Sequence, residues 1–267
     1  MDPRITDPRT LVVFAGPSLA ASPLLGPLAD VLRPPVRAGD LTEATRQLEA
    51  GAHVLIVDGE FGQSQAITLT EIRTAVDAGF HLWGAASMGA LRAAECAPLG
   101  MAALGTIAGA YLSGDLVADD EVALAYDPDT YEPFTVPLVN VRRLTGVLTA
   151  WGATTQEEAA RVLTAARAVH FRQRTFAALR RIVENSLTGG AAIVARHLLE
   201  PGARPLWDAK LADAEAAVTH VLRARAEGRT PQDAQQTRRG GPPRAVPADV
   251  TALHTPETLL APDRVAL

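Results

Sequence analysis

Three short apolar runs, each closed by a loop of small or acidic residues, constrain this chain more than anything else in it. "LVVFAG" at 11–16 ends in Gly-Pro and leads to Ser18. "HVLIV" at 53–57 is followed by Asp58 and Gly59, and "FHLWGA" at 80–85 leads to Ala86-Ser87-Met88-Gly89. Unbroken apolar runs of this length read as strands buried on both faces. Helical patterns lie between them. "DLTEATRQLEAG" places Asp40 as a cap, Glu43 at the capping-box position and Gly51 as a stop; "TLTEIRTAVDAG" repeats the arrangement with Thr68 and Glu71. Residues 87–96 and 105–113 also read as helices.

Strand–helix alternation of this kind predicts an α/β fold, an open and mainly parallel sheet with helices on both faces. Such sheets carry function in the loops beyond their strand carboxyl ends. "AGPSL", "DGEFGQ" and "AASMG" all fall there, so one site is expected to draw on Ser18, Asp58, Glu60 and Ser87.

From about residue 145 the pattern is helical throughout. We expect an α/β core at 1–145, a helical region at 146–228, and a linker and tail at 229–267 rich in Pro, Gly, Gln and Arg. The aromatic fraction is only 4%, so the core has to be built from Ala, Val and Leu. A formal charge of −5 gives no general attraction to nucleic acid or acidic membranes. No uncharged stretch reaches membrane-spanning length, and the start does not read as a signal peptide. The lone Cys96 allows no intrachain disulfide and no cysteine zinc site; it reads as a small apolar packing residue in a cytoplasmic protein.

Ser87 sits between small residues at a strand-to-helix junction. Two readings fit it: a nucleophile held on a strained turn at a helix N-terminus, or a helix cap. A nucleophile needs a base. His53 and His81 begin their strands, at the wrong end of the sheet. Of the 25 basic residues only Lys210 is a lysine, and it is remote in sequence. Asp58 and Glu60 lie at the correct end. Arg92 and Glu95 follow Ser87 along its helix and read either as anion-binding or as an ion pair. "AGPSL" can wrap an anion in backbone N–H groups, but it is no P-loop, and no ATP binding is expected. "ADDEVAL" has the carboxylates for magnesium, although such runs more often cap helices; no metal and no cofactor is expected.

The segments "VVFAGPSL", "PPVRAGDL", "VLIVDGEFGQ", "WGAASMGALRAAEC", "GMAALGTIAGAYLSGDLVADDEVAL" and "PLVNVR", in this order over residues 11–143, resemble the TfuA-like family. The resemblance implies a partner of YcaO enzymes in backbone thioamidation of ribosomally made peptides. It implies release of sulfide from a thiocarboxylated ThiS-like carrier by a hydrolase-like Ser–Lys site, with the precursor peptide engaged through YcaO. Ser87 matches the family serine. Thr70 stands where the family has its lysine, beside Glu71, which leaves the base unassigned. In a competent site, backbone N–H groups near Met88, Gly89 and Ser18 would hold the oxyanion, and Arg37 or Arg92 the carrier's terminal charge. The alternative implied by Thr70 is a non-catalytic module that docks carrier or peptide. An unrelated esterase is disfavoured by the lack of a well-placed histidine.

Overall fold

The computed structural model describes residues 7–62 and 65–234. They form two compact units that do not follow chain order. The first holds residues up to 133 and resumes at 209; the second holds 134–208.

In the first unit, β1 (Leu11–Phe14), β2 (Leu32–Arg33), β3 (His53–Ile56), β4 (His81–Gly84) and β5 (Ala102–Ala103) form one sheet in the order β2-β1-β3-β4-β5. Every pairing is parallel, with Leu11 opposite His53 and His53 opposite His81. The fold class read from the sequence is thus the one observed. The two-residue strands β2 and β5 have no periodicity to betray them and were not anticipated. Intervening helices are α1 (Leu25–Leu28), α2 (Asp40–Gln47), α3 (Leu69–Asp77), α4 (Met88–Glu95) and α5 (Gly105–Ser113).

Thr68 and Glu71 form the expected capping box at the start of α3. At α2 the cap is Gly39, in the left-handed region at φ 96°, and Asp40 instead accepts the Arg37 N–H.

β2 lies on one side of β1 and β3 on the other. The chain therefore reverses its winding between β1 and β3, and a crevice opens there beyond the strand carboxyl ends.

The second unit is wholly helical: α6 (Leu138–Ala150), α7 (Gln156–Arg167), α8 (Phe176–Ser186), α9 (Gly189–Leu198) and α10 (Arg204–Trp207). Its core includes Leu138, Leu144, Val162, Val183, Leu198 and Trp207. Arg174 is fully buried, its guanidinium donating to the carbonyls of Ala166, Val136 and Val169. A cavity of about 520 Å³ between Trp151, Ala191 and Val194 belongs to this unit. Its one acid, Glu158, is spent on the α7 capping box.

The chain then returns to the first unit as α11 (Ala209–Ala226). Ala214, Ala217, Val218, Val221 and Ala224 join the sheet residues Val13, Leu55, Val57 and Trp83 in one core. Small side chains let this helix approach the sheet closely, as the aromatic-poor composition requires. The expected tail at 229–267 lies outside the described residues from 235 onward. Before that, Asp233 accepts the Thr230 N–H and hydroxyl. No helix among the described residues is long and apolar enough to cross a membrane.

Candidate functional site

The crevice between β1 and β3 is filled by Asp58. Its Oδ2 accepts the backbone N–H groups of Gly16 and Ser18, each at 2.9 Å, and its Oδ1 accepts the Ser18 hydroxyl at 2.6 Å. Asp58 and Ser18 are both 2% exposed. The "AGPSL" N–H groups are therefore turned inward onto a resident carboxylate, and the loop is held as a turn around Asp58.

The second charge of the crevice comes from the far end of the chain. Lys210, on the first turn of α11, places Nζ 3.8 Å from Asp58 Oδ1 and donates to the Val122 carbonyl at 3.0 Å. It too is 2% exposed. The chain's only lysine thus lies in the crevice. Sequence reasoning had set it aside because separation along the chain says nothing about where a helix returns. The available signal was compositional, one lysine in an arginine-rich chain.

Ser87 follows β4 on the next strand over. Its loop is bound tightly to the residues around Asp58: Gly89 N–H donates to Val57 O at 3.1 Å, and Ala85 N–H to Ile56 O at 3.1 Å. Gly89 lies so close to β3 that a Cβ there would collide with the Ile56 carbonyl, and one on Gly84 would collide with the Gly89 carbonyl. The small residues of "WGAASMG" thus have a packing cause, since they seat the first turn of α4 on the end of β3. The strained backbone is one residue earlier than the sequence suggested. Ala86 has φ 62°, in the left-handed region that L-residues seldom adopt, while Ser87 has φ −119° and ψ −124°. The Ser87 side chain makes no capping bond to α4, and the residue is 2% exposed. As a site for nucleophilic chemistry, this is a hydroxyl at a helix N-terminus that is not consumed by the helix.

Glu60 lies next to this cluster. Its Oε1 accepts the Tyr126 hydroxyl at 2.6 Å and faces Arg37 Nη2 at 3.4 Å. Burial, followed by Glu60, raises the Tyr126 phenol above its ordinary range and keeps it a neutral donor. Tyr131, at φ 60°, stands with its ring centroid 5.9 Å from that of Tyr126 and reaches over Gly16. Neither tyrosine was anticipated; no periodicity marks the 126–133 loop.

The other sequence candidates lie elsewhere. Thr70 is exposed on the first turn of α3, and no hydrogen bond links it to Ser87 or Asp58 among the described residues. Glu71 is committed to the Thr68 capping box and to the Gly39 N–H. Arg92 donates to the Ile67 carbonyl at 3.0 Å and pairs with Glu95, tying α4 to the loop before α3. Met88 packs its side chain against Gly59. Asp119, Asp120 and Glu121 form one turn of 3-10 helix, and among the described residues no group of three His, Cys, Asp or Glu is placed to hold a metal. Cys96 is buried, which pushes its thiol up to about 11 and makes it inert at neutral pH.

At the opposite edge of the sheet, Trp83 donates its indole N–H to His53 Nδ1 at 3.1 Å, and the His53 and His81 rings lie 4.8 Å apart. Burial, with contributions from His81 and Arg225, lowers His53 to about 3. These histidines are far from the loops of the crevice and cannot serve Ser87.

No curated protein matches the chain. The family model described as TfuA-like protein matches residues 58–175, a stretch that carries Asp58, Glu60 and Ser87 but neither Ser18 nor Lys210. That match supports the assignment of this stretch to the TfuA-like family.

Proposed function

We propose that this protein assists a YcaO enzyme in backbone thioamidation of a ribosomally made peptide by releasing sulfide from a thiocarboxylated ThiS-like carrier. The observation that carries this reading is the Ser87 hydroxyl. It stands at the N-terminus of α4, uncommitted to capping, in a loop hydrogen-bonded to Ile56 and Val57, the two residues before Asp58. Ser87 Oγ would attack the thiocarboxylate carbon, and the C–S bond would break. Hydrosulfide leaves with the bonding pair, and an ester to Ser87 remains. Water then cleaves that ester, giving the carrier carboxylate and restoring the hydroxyl. The Gly89 N–H, expected to hold the oxyanion, is taken by the Val57 carbonyl, so the Met88 N–H and the dipole of α4 would supply the partial positive charge that an oxyanion needs. The exposed Arg37 side chain, beside Glu60, suits the terminal charge of a carrier tail.

A docking role without catalysis is favoured by one observation, the near-complete burial of Ser87. The two readings separate when the protein is incubated with thiocarboxylated carrier, with and without a YcaO partner. Sulfide released by wild type and not by Ser87→Ala supports hydrolysis. Binding of carrier or YcaO with no sulfide supports docking.

A further inference from the structure

We infer that residues 126–133 form a lid on the Asp58 crevice, latched by the hydrogen bond from Tyr126 to Glu60. The inference rests on the reading above in one respect, that a substrate chain has to reach this crevice.

The need for an opening comes first. Ser18, Asp58 and Ser87 are each 2% exposed, so a polypeptide tail cannot touch them while every surrounding loop stays in place. The loops after β1 and β3 are poor candidates for movement. Gly16 and Ser18 N–H groups donate to the Asp58 carboxylate, Val36 N–H to the Asp58 carbonyl, and Glu60 N–H to the Val36 carbonyl. Pulling these loops apart leaves a buried carboxylate without its donors, which is costly.

The 126–133 loop is built differently. Each backbone N–H from 127 to 132 ends on an acceptor inside the same loop, Pro128 having none to place. Asp127 donates to the Glu132 carbonyl and Tyr131 to the Asp127 carbonyl. Asp129 and Thr130 donate to the Asp127 carboxylate, and Glu132 to the Thr130 hydroxyl. A bridge between Tyr126 and Pro133 closes the two ends. A segment whose donors are satisfied within itself can move as one body without exposing unpaired backbone.

Two side chains hold this body on the crevice. Tyr126 donates to Glu60 Oε1 at 2.6 Å. The Tyr131 ring lies against Gly16 so closely that a Cβ there would stand 3.1 Å from Cδ1. Gly16 is also a donor to Asp58, so the ring rests directly on the wall of the crevice. Tyr131 holds φ 60°, a conformation that a bulky residue keeps only where its surroundings impose it. Lifting the loop breaks the Tyr126 bond, frees Tyr131 from that conformation and uncovers Gly16.

The test is amide hydrogen exchange of the full-length protein, read residue by residue, for wild type, Tyr126→Phe and Glu60→Gln. In wild type the Gly16 and Ser18 amides should exchange faster than those of β1 and β3, a comparison that needs no variant to fold. Tyr126→Phe should speed Gly16 and Ser18 by about tenfold or more, because a hydrogen bond to a carboxylate is lost. Glu60→Gln keeps an acceptor and should fall between. The Asp127 and Tyr131 amides should not change in either variant, since their bonds travel with the lid; loss of local structure would speed them too. Unchanged Gly16 and Ser18 rates in Tyr126→Phe overturn the inference. So does acceleration of Asp127 and Tyr131 alongside them, which means that the loop melts and does not swing. Sulfide release from thiocarboxylated carrier, measured on the same samples, keeps the two claims apart. Exchange as expected without sulfide leaves the lid assigned and removes that carrier as the substrate. Sulfide with unchanged exchange keeps the reaction and removes the lid.

Discussion

Asp58 Oδ1 stands 2.6 Å from the Ser18 hydroxyl and 3.8 Å from the Lys210 ammonium, so one carboxylate fastens the loop after β1 to the last helix of the same unit. Removing it leaves a buried ammonium and three loop donors without their acceptor. Asp58→Ala is expected to lower unfolding free energy by about 3–5 kcal/mol. Denaturant titration of the variant checks this, and a loss under about 1 kcal/mol would mean that water has replaced the carboxylate.

The helix starts after β3 and after β4 are capped differently and make different predictions. Thr68 accepts the Glu71 N–H and anchors a reciprocal box, whereas Ser87 makes no such bond. Thr68→Ala should cost about 1 kcal/mol. Ser87→Ala should cost less, with the far-ultraviolet spectrum unchanged. Urea midpoints of the two variants, measured side by side, decide the order.

Gly89→Ala adds a single methyl directed at the Ile56 carbonyl. Backbone cannot yield as a flexible side chain can, so α4 must lift off β3. The expected outcome is a destabilised protein, losing more than Ser87→Ala does, with the Gly89-to-Val57 bond broken and its amide exchanging rapidly.

His53 lies well below the ordinary histidine range because burial disfavours its charged form. The unfolded chain therefore binds a proton near pH 6.5 that the folded chain refuses until about pH 3. Stability is flat above the unfolded value and falls as pH drops through that window, by about 1.4 kcal/mol per pH unit for this one group. His81, lowered in the same direction, adds to the slope. His53→Phe should flatten the acid limb in denaturation experiments run between these limits. An unchanged limb would assign the acid sensitivity to other groups.

The long apolar runs at β1, β3 and β4 announced themselves because burial on both faces leaves no polar residue to break them. The Thr68–Glu71 box was legible because it is purely local. So was the placing of Ser18, Asp58 and Ser87 on loops at one edge, which follows from strand direction in a parallel sheet. What stayed hidden was non-local. Lys210 reaches the crevice because α11 packs on the sheet through Ala214, Ala217 and Val218, and no pattern near residue 58 encodes that return. Tyr126 and Tyr131 come from an irregular loop without periodicity. Around Ser87 the small residues answer to contacts that no local pattern carries: Gly89 lets α4 pass close to β3, and Gly84 lets it pass close to β4.

The most direct test of the account is the mass of the protein during turnover. Wild type mixed with thiocarboxylated carrier and quenched in acid should yield a covalent species equal to the two proteins combined less one hydrogen sulfide. Digestion should place the ester on Ser87, and Ser87→Ala should form none of it. Sulfide released at full rate by Ser87→Ala, or by wild type through an adduct on a different residue, would contradict the account.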